Sequence, residues 1–164
     1  MKRIWSPWRI QYILNEEPQG CVFCQKVKEG DEKRHLLLYK DGSSLVMMNK
    51  FPYTCGHLLV APVKHTADLE DLEESELTDL FMILRKSVRI LSGAMKPHGF
   101  NVGMNLGRIA GAGIEDHLHF HIVPRWKGDT NFMPVLTDSM VIPESLQGTY
   151  ERLYPLFSKL REIA

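Results

Sequence analysis

Three histidines alternate with apolar residues in the stretch Asp116-His117-Leu118-His119-Phe120-His121-Ile122-Val123-Pro124-Arg125. Successive side chains of a β-strand point to opposite faces. An extended segment would therefore set His117, His119 and His121 on one face, roughly 6.5–7 Å apart, and turn Leu118, Phe120 and Ile122 into a core. A lone histidine among apolar residues is ordinarily a hydrogen-bonded structural residue, whereas three at period two read as a chemical site. Two chemistries fit. Imidazoles on a strand can chelate a metal, as in three-histidine zinc hydrolases. A neutral imidazole, with an ordinary pKa of about 6.5, can also act as a nucleophile or proton carrier.

Two further groups carry chemical potential. Cys21-Val22-Phe23-Cys24 is a Cys-x-x-Cys pair, compatible by itself with a zinc knuckle, a redox dithiol or coincidence. A redox pair wants a strand–helix context, and the polar residues 25–33 give little sign of one. A tetrahedral zinc site wants two more ligands, for which His65 and His117 are available. Cys55 lies outside this pattern and reads as an inert thiol. Upstream of the histidines runs Asn105-Leu106-Gly107-Arg108-Ile109-Ala110-Gly111-Ala112-Gly113. Small residues let a backbone approach a ligand closely, and successive N–H groups can form an anion nest, so this run reads as a phosphate cradle.

The elements that must position these groups follow from periodicity. Residues 36–40 and 44–49 read as strands joined at Asp41-Gly42, a short hairpin signal. Residues 56–62, 100–106 and 118–123 read as three more, the last closed by Pro124. Between the third and fourth, Leu77, Leu80, Phe81, Leu84, Val88, Leu91 and Met95 step by three or four and predict a helix over residues 74–95. Lys96-Pro97-His98-Gly99 ends it. A second helix is expected over residues 150–163, with Pro155 implying a late start or a kink. The pattern predicts an α+β domain: an antiparallel sheet of about five strands, one long helix and a C-terminal helix.

Bulk properties narrow the function classes. A chain of 164 residues, 44% hydrophobic and 24% charged, reads as one ordinary globular domain. Twenty basic residues balance twenty acidic ones, so global charge supports neither nucleic-acid nor anionic-membrane binding, and any phosphate recognition must be local. No apolar run approaches the ~20 residues of a transmembrane helix. The first 13 residues carry Trp5, Pro7 and Trp8 in place of an apolar signal core. With three cysteines, a cytoplasmic enzyme without an organic cofactor is expected.

The segment His117-Leu118-His119-Phe120-His121-Ile122-Val123 resembles the signature of the histidine triad (HIT) family, His-φ-His-φ-His-φ-φ with φ apolar. Cys21-x-x-Cys24, Asn49 at a strand end, and Gly56-His57-Leu58-Leu59-Val60-Ala61-Pro62-Val63-Lys64-His65 extend the likeness across residues 21–126. Three flanking segments resemble the family's bacterial diadenosine tetraphosphate phosphorylase branch. They are Trp5-Ser6-Pro7-Trp8-Arg9, Pro97-His98-Gly99-Phe100-Asn101-Val102-Gly103-Met104-Asn105-Leu106-Gly107, and Pro124-Arg125-Trp126-Lys127-Gly128-Asp129-Thr130-Asn131-Phe132.

The resemblance implies a HIT-like fold with a motif-bearing core at residues 21–126, an N-terminal extension at 1–20 and a C-terminal extension at 127–164. It implies nucleotidyl transfer from a dinucleoside polyphosphate to His119 and on to inorganic phosphate or water. His121 and the backbone around Gly107, Gly111 and Gly113 would bind phosphate, with Asn105 beside it. Asn49 would contact ribose, and Trp126 would stack on a base or close the site. Structural zinc would be held by Cys21, Cys24, His65 and His117. A homodimer or higher homo-oligomer is implied, with no nucleic-acid or membrane partner. Many members carry Gln where Gly113 stands, with Glu115 and Asp116 as the nearby carboxylates here. His121 stands where sugar-phosphate transferases and eukaryote-type phosphorylases of the family carry Gln. Other readings are a hydrolase of dinucleoside polyphosphates or nucleoside phosphoramidates, a metal-dependent three-histidine hydrolase, and a nucleotide-binding sensor without turnover.

Overall fold

The computed structural model describes residues 20–129 and 142–162. The Trp5–Trp8 segment, Thr130-Asn131-Phe132 and Ile163 lie outside the described residues. Five strands form one antiparallel sheet: β1 (Leu37–Lys40), β2 (Ser44–Met48), β3 (Leu58–Pro62), β4 (Gly99–Met104) and β5 (Phe120–Arg125), in the order β1-β2-β3-β5-β4. The expected α+β architecture is observed. Asp41 closes the first hairpin, its Oδ1 accepting the Ser43 and Ser44 N–H groups.

The alternation of the strands divides the molecule into two layers. Leu38, Val46, Met48, Leu58, Val60, Leu118 and Ile122 face one core, shared with the long helix α3 (Glu74–Met95) and the C-terminal helix α4 (Leu146–Ser158). Leu37, Leu45, Met47, Leu59 and Ala61 face the other side and meet Phe23 of α1 (Val22–Glu29). A short helix α2 (Glu32–His35) leads into β1. Each fully buried Leu contributes about 1.5–3 kcal/mol, against about 1 kcal/mol for a helix cap, so burial decides the layering.

Helix α3 has the expected bounds. A capping box between Glu73 and Glu76 starts it, and Lys96 ends it in the left-handed region (φ 48°) before Pro97. Its buried line is Leu80, Ile83, Ser87 and Leu91, shifted from the expected stripe. Phe81 is 54% exposed and only edges against Phe120. Ile83 takes the core place because it, and not Phe81, lies three and eight residues from Leu80 and Leu91.

Three differences have local causes. Helix α1 was not anticipated, since of its apolar residues Val22, Phe23 and Val27 only Phe23 and Val27 are spaced by one helical turn. Helix α4 starts four residues before expectation because Ser145 caps it, accepting from the Gly148 N–H, and Pro155 is carried inside it. Strand β5 runs through Pro124 to Arg125 instead of ending before the proline. Pairing with β3 stops at Ile122, and on that side the Pro124 carbonyl accepts from Thr54 Oγ1 at 2.9 Å. Pro124 therefore sits where its missing N–H breaks no ladder bond.

Candidate active site and metal cluster

The three histidines divide between two sites. Strand pairing begins only at Phe120, so His117, at a bend, and His119 lie on the segment that feeds β5 and His121 lies within the strand. All three lie on the α1 side of the sheet, as alternation predicts: Phe23 touches His117 and His119, and the His119 and His121 ring centroids are 5.0 Å apart.

His117 turns its Nδ1 to the Cys-x-x-Cys pair. Cys21 Sγ lies 3.2 Å from it, Cys24 Sγ 3.8 Å and His65 Nδ1 3.3 Å, while Cys24 Sγ is 3.6 Å from His65 Nδ1. The four ligand atoms lie within 4.8 Å of one another. Zinc bonds of ~2.0–2.3 Å in a tetrahedron require ligand-to-ligand edges of about 3.3–3.8 Å; the four separations of 3.2–3.8 Å fit that range, while the set as a whole spans up to 4.8 Å and must contract around a metal. The outer nitrogen of His117 is also committed, its Nε2–H donating to the Pro62 carbonyl at 2.8 Å, while His65 Nε2 lies 3.8 Å from the Asp116 carboxylate. That bond leaves the His117 Nδ1 lone pair free for a metal. Burial raises the Cys21 thiol and lowers the His117 imidazole from their ordinary values. A soft, two-thiol, two-imidazole set suits Zn²⁺.

His119 keeps 4% of its surface accessible. Its Nδ1–H donates to the His117 carbonyl at 2.8 Å, so the neutral ring carries its lone pair on Nε2, the form a nucleophile needs. Burial lowers its pKa, against the opposing pull of that hydrogen bond.

His121 is oriented by His57, which the sequence reading did not single out as a site residue. His57 is 1% exposed and its Nε2 lies 2.9 Å from His121 Nδ1. The Tyr53 N–H donates to His57 Nδ1 at 3.1 Å, and Asn49 Nδ2 lies 3.3 Å from the same atom. His57 must therefore carry its proton on Nε2 and donate to His121 Nδ1, which leaves His121 with an Nε2–H donor. Burial, then the His121 and His119 charges, push the His57 pKa down to about 3. His121 is lowered by burial and then by His119. Burial thus biases the His57, His119 and His121 rings toward their neutral forms. Period two could have revealed His57, since Leu59 and Ala61 follow it on the Phe23 side. Gly56 permits its placement with a φ of 73°, and a Cβ there would collide with Met95 Sδ.

The remaining candidates are spread around this centre. Asn49 closes its own loop, with Oδ1 accepting the Phe51 N–H at 2.9 Å. His121, Asn105 and Trp126 line a cavity of about 1080 Å³ together with Tyr53, Asn101 and Arg125. Arg125 grips Asp129 through two nitrogens and Asn101 through a third, and Asp129 accepts the Trp126 N–H, fixing the turn that carries the indole. Gly107, Gly111 and Gly113 lie in the loop before the triad, outside the residues lining that cavity. The loop folds as a single 3₁₀ turn, and the Ala110, Gly111 and Ala112 N–H groups bond to the Gly107 and Arg108 carbonyls. Those three donors are used within the turn. Glu115 pairs with Arg108 and Asp116 with His65.

A model of the HIT domain matches residues 31–128. The chain is 35% identical over 158 residues to the AP-4-A phosphorylase of Mycobacterium tuberculosis, covering 91% of this chain and 80% of that one. It is 35% identical over 106 residues to the adenosine 5'-monophosphoramidase of Schizosaccharomyces pombe, covering 65% and 74%. Among solved structures, it resembles a Zn-bound histidine triad family protein from Mycobacterium smegmatis with a TM-score of 0.68 and 25% identity, covering 88% and 98%.

Proposed function

The chain belongs to the HIT domain family, and from that membership we propose that it cleaves dinucleoside polyphosphates, diadenosine tetraphosphate foremost, through a covalent nucleotidyl-His119 intermediate that inorganic phosphate resolves. The observation that carries this reading is the Nδ1–H bond from His119 to the His117 carbonyl, because it leaves Nε2 as a lone pair. The likeness to a phosphorylase across nine-tenths of the chain supports the substrate.

In this reading His119 Nε2 attacks an α-phosphorus in line. The N–P bond forms, the P–O bond to the rest of the polyphosphate breaks, and the leaving nucleotide takes the electron pair. A phosphate oxygen then attacks the phosphorus and returns the N–P electron pair to Nε2. The His121 Nε2–H donates to a phosphoryl oxygen as charge develops there. Asn105, and the donors of the 107–113 loop not used within its turn, act on the phosphates. Asn49 addresses a ribose and Trp126 a base. Cys21, Cys24, His65 and His117 would hold Zn²⁺, which when bound supplies a structural cross-link. The phosphoramidase-like relative supports a second reading, in which water is the acceptor.

Products decide between acceptors. Diadenosine tetraphosphate turned over with inorganic phosphate is expected to yield ADP plus ATP, with little cleavage when phosphate is left out. AMP plus ATP at the same rate in both conditions would make the enzyme a hydrolase.

Homodimerisation belongs to the same proposal. Strand β4 lies at the sheet edge, and Phe81, Met82 and Val102 are exposed apolar side chains. Sedimentation equilibrium should give twice the 18.9 kDa chain mass; a monomer at micromolar concentration would refute it. A cytoplasmic setting is proposed as well: among the described residues no helix is long and apolar enough to cross a membrane.

A further inference from the structure

Phe23 stands between the two cysteines of the metal cluster, yet its ring serves another purpose. It is fully buried, and its centroid lies 4.8 Å from that of His117 and 5.2 Å from that of His119, tilted by 43° and 44°. Metal binding by Cys-x-x-Cys does not require an aromatic ring at the third position. An imidazole that attacks a phosphorus does require a fixed ring plane, because a misplacement of about 1 Å can cost ~10²-fold in rate.

Phe23 is held by packing against Leu37, Leu45, Met47, Leu59 and Ala61, and the cluster adds a second hold on the turn that carries it. Helix α1 has only eight residues and no side-chain bond at its N-cap, Cys21. A helix that short does not hold itself together in water. Its N-terminal turn is anchored by Phe23 burial and by the approach of Cys21 and Cys24 to His65 and His117. A second route runs through one residue. His117 presents its Nδ1 to the cysteines, while its main-chain carbonyl accepts the His119 Nδ1–H at 2.8 Å.

We infer that Phe23 is a positioning residue for His119, clamped by the Cys21–Cys24–His65–His117 ligand set, so that metal occupancy governs how the attacking ring is held. The inference rests on the nucleophilic role proposed for His119. It assigns the cluster a function beyond cross-linking: loss of the metal frees the α1 terminus, withdraws the Phe23 ring, and lets the His119 ring turn away from the His117 carbonyl. The fold survives that loss, because the α3–α4 core lies on the opposite side of the sheet.

The test compares Phe23→Leu, Val27→Ala and wild type, zinc-loaded and chelated, at one fixed neutral pH. Three quantities are read: zinc content, the imidazole ¹H–¹⁵N correlation pattern of His119, and kcat and KM for diadenosine tetraphosphate. Zinc-loaded wild type should show a single Nδ1–H tautomer for His119. Phe23→Leu should keep its zinc, show mixed tautomers, and lose about 10–10²-fold in kcat with KM within about threefold. Chelated wild type should show the same mixed pattern, and Val27→Ala, altered elsewhere on α1, the native one. A single Nδ1–H tautomer and near-native kcat in Phe23→Leu would overturn the positioning role. The single tautomer persisting in chelated, folded protein would overturn the clamp. If Phe23→Leu fails to fold, Phe23→Met, similar in volume and without a ring, is read in the same way. The nitrogen pattern needs no substrate, so it stands apart from any failure of the proposed reaction.

Discussion

His119→Ala is expected to lower kcat/KM for diadenosine tetraphosphate by about 10⁴–10⁶-fold, the range typical of removing an enzyme nucleophile. At ~1.4 kcal/mol per decade this is roughly 5–8 kcal/mol of transition-state stabilisation. Nucleotide affinity should stay within a few-fold, because the ring contributes an attacking lone pair and little binding surface. No neighbouring imidazole can replace it. His121 has Nδ1 facing His57 and carries its proton on Nε2, while His57 is buried with both nitrogens committed. Loss of His121, proposed as a phosphate donor, should cost less, about 10²–10³-fold by comparison with oxyanion-hole donors. Steady-state kinetics alongside equilibrium binding of a non-cleavable analogue separates the two effects. Turnover of His119→Ala within tenfold of wild type would remove the nucleophile from the account.

Cys21→Ser is expected to strip the metal and lower the melting temperature by roughly 6–20 °C. A serine hydroxyl is a poor zinc ligand, and with three donors left the site opens. Structural zinc contributes about 10–16 kcal/mol in finger peptides that have no other core. Here the sheet, α3 and α4 fold around their own apolar cluster, so only the tethering of α1 to His65 and His117 is lost. A loss of about 3–5 kcal/mol, at 2–4 °C per kcal/mol for a domain of this size, gives that shift. Metal analysis and calorimetry check it together. Wild-type protein purified without chelators should carry one zinc per chain and the variant none. A metal-free wild type with unchanged stability would refute the cluster.

How much of this was legible in the residues depended on the physical signal available. Period-two alternation is strict in extended backbone, so His117, His119 and His121 could be assigned to one face even though strand pairing begins only at Phe120. The Cys21–Cys24 pair with His65 and His117 was a candidate zinc set by residue type, beside a redox reading, and the structure brings the four ligand atoms within 4.8 Å of one another. Helix α1 escaped because, of Val22, Phe23 and Val27, only Phe23 and Val27 stand one helical turn apart, too little to establish a period, and with it escaped Phe23, whose role depends on where α1 packs. His57 was written in the sequence two residues before Leu59, yet its tautomer emerges only once the Tyr53 N–H and His121 Nδ1 are seen to meet it. The glycine run illustrates the opposite limit. Its composition suggested open donors, while three of its N–H groups close a turn on themselves. Phe81 shows why a stripe of apolar residues does not define a buried face: Ile83 and Ser87 occupy the core line and Phe81 is left at its margin.

The central claim is a covalent bond between His119 and a nucleotidyl group, and a quenched single turnover tests it most directly. Enzyme in excess over diadenosine tetraphosphate, without inorganic phosphate, is denatured within the first turnover and its peptides are weighed. The account predicts one adenylyl group on the peptide that holds His119, formed as ATP is released and discharged as ADP when phosphate is added. ATP released with no adduct on any peptide, or an adduct on a residue other than His119, would contradict it.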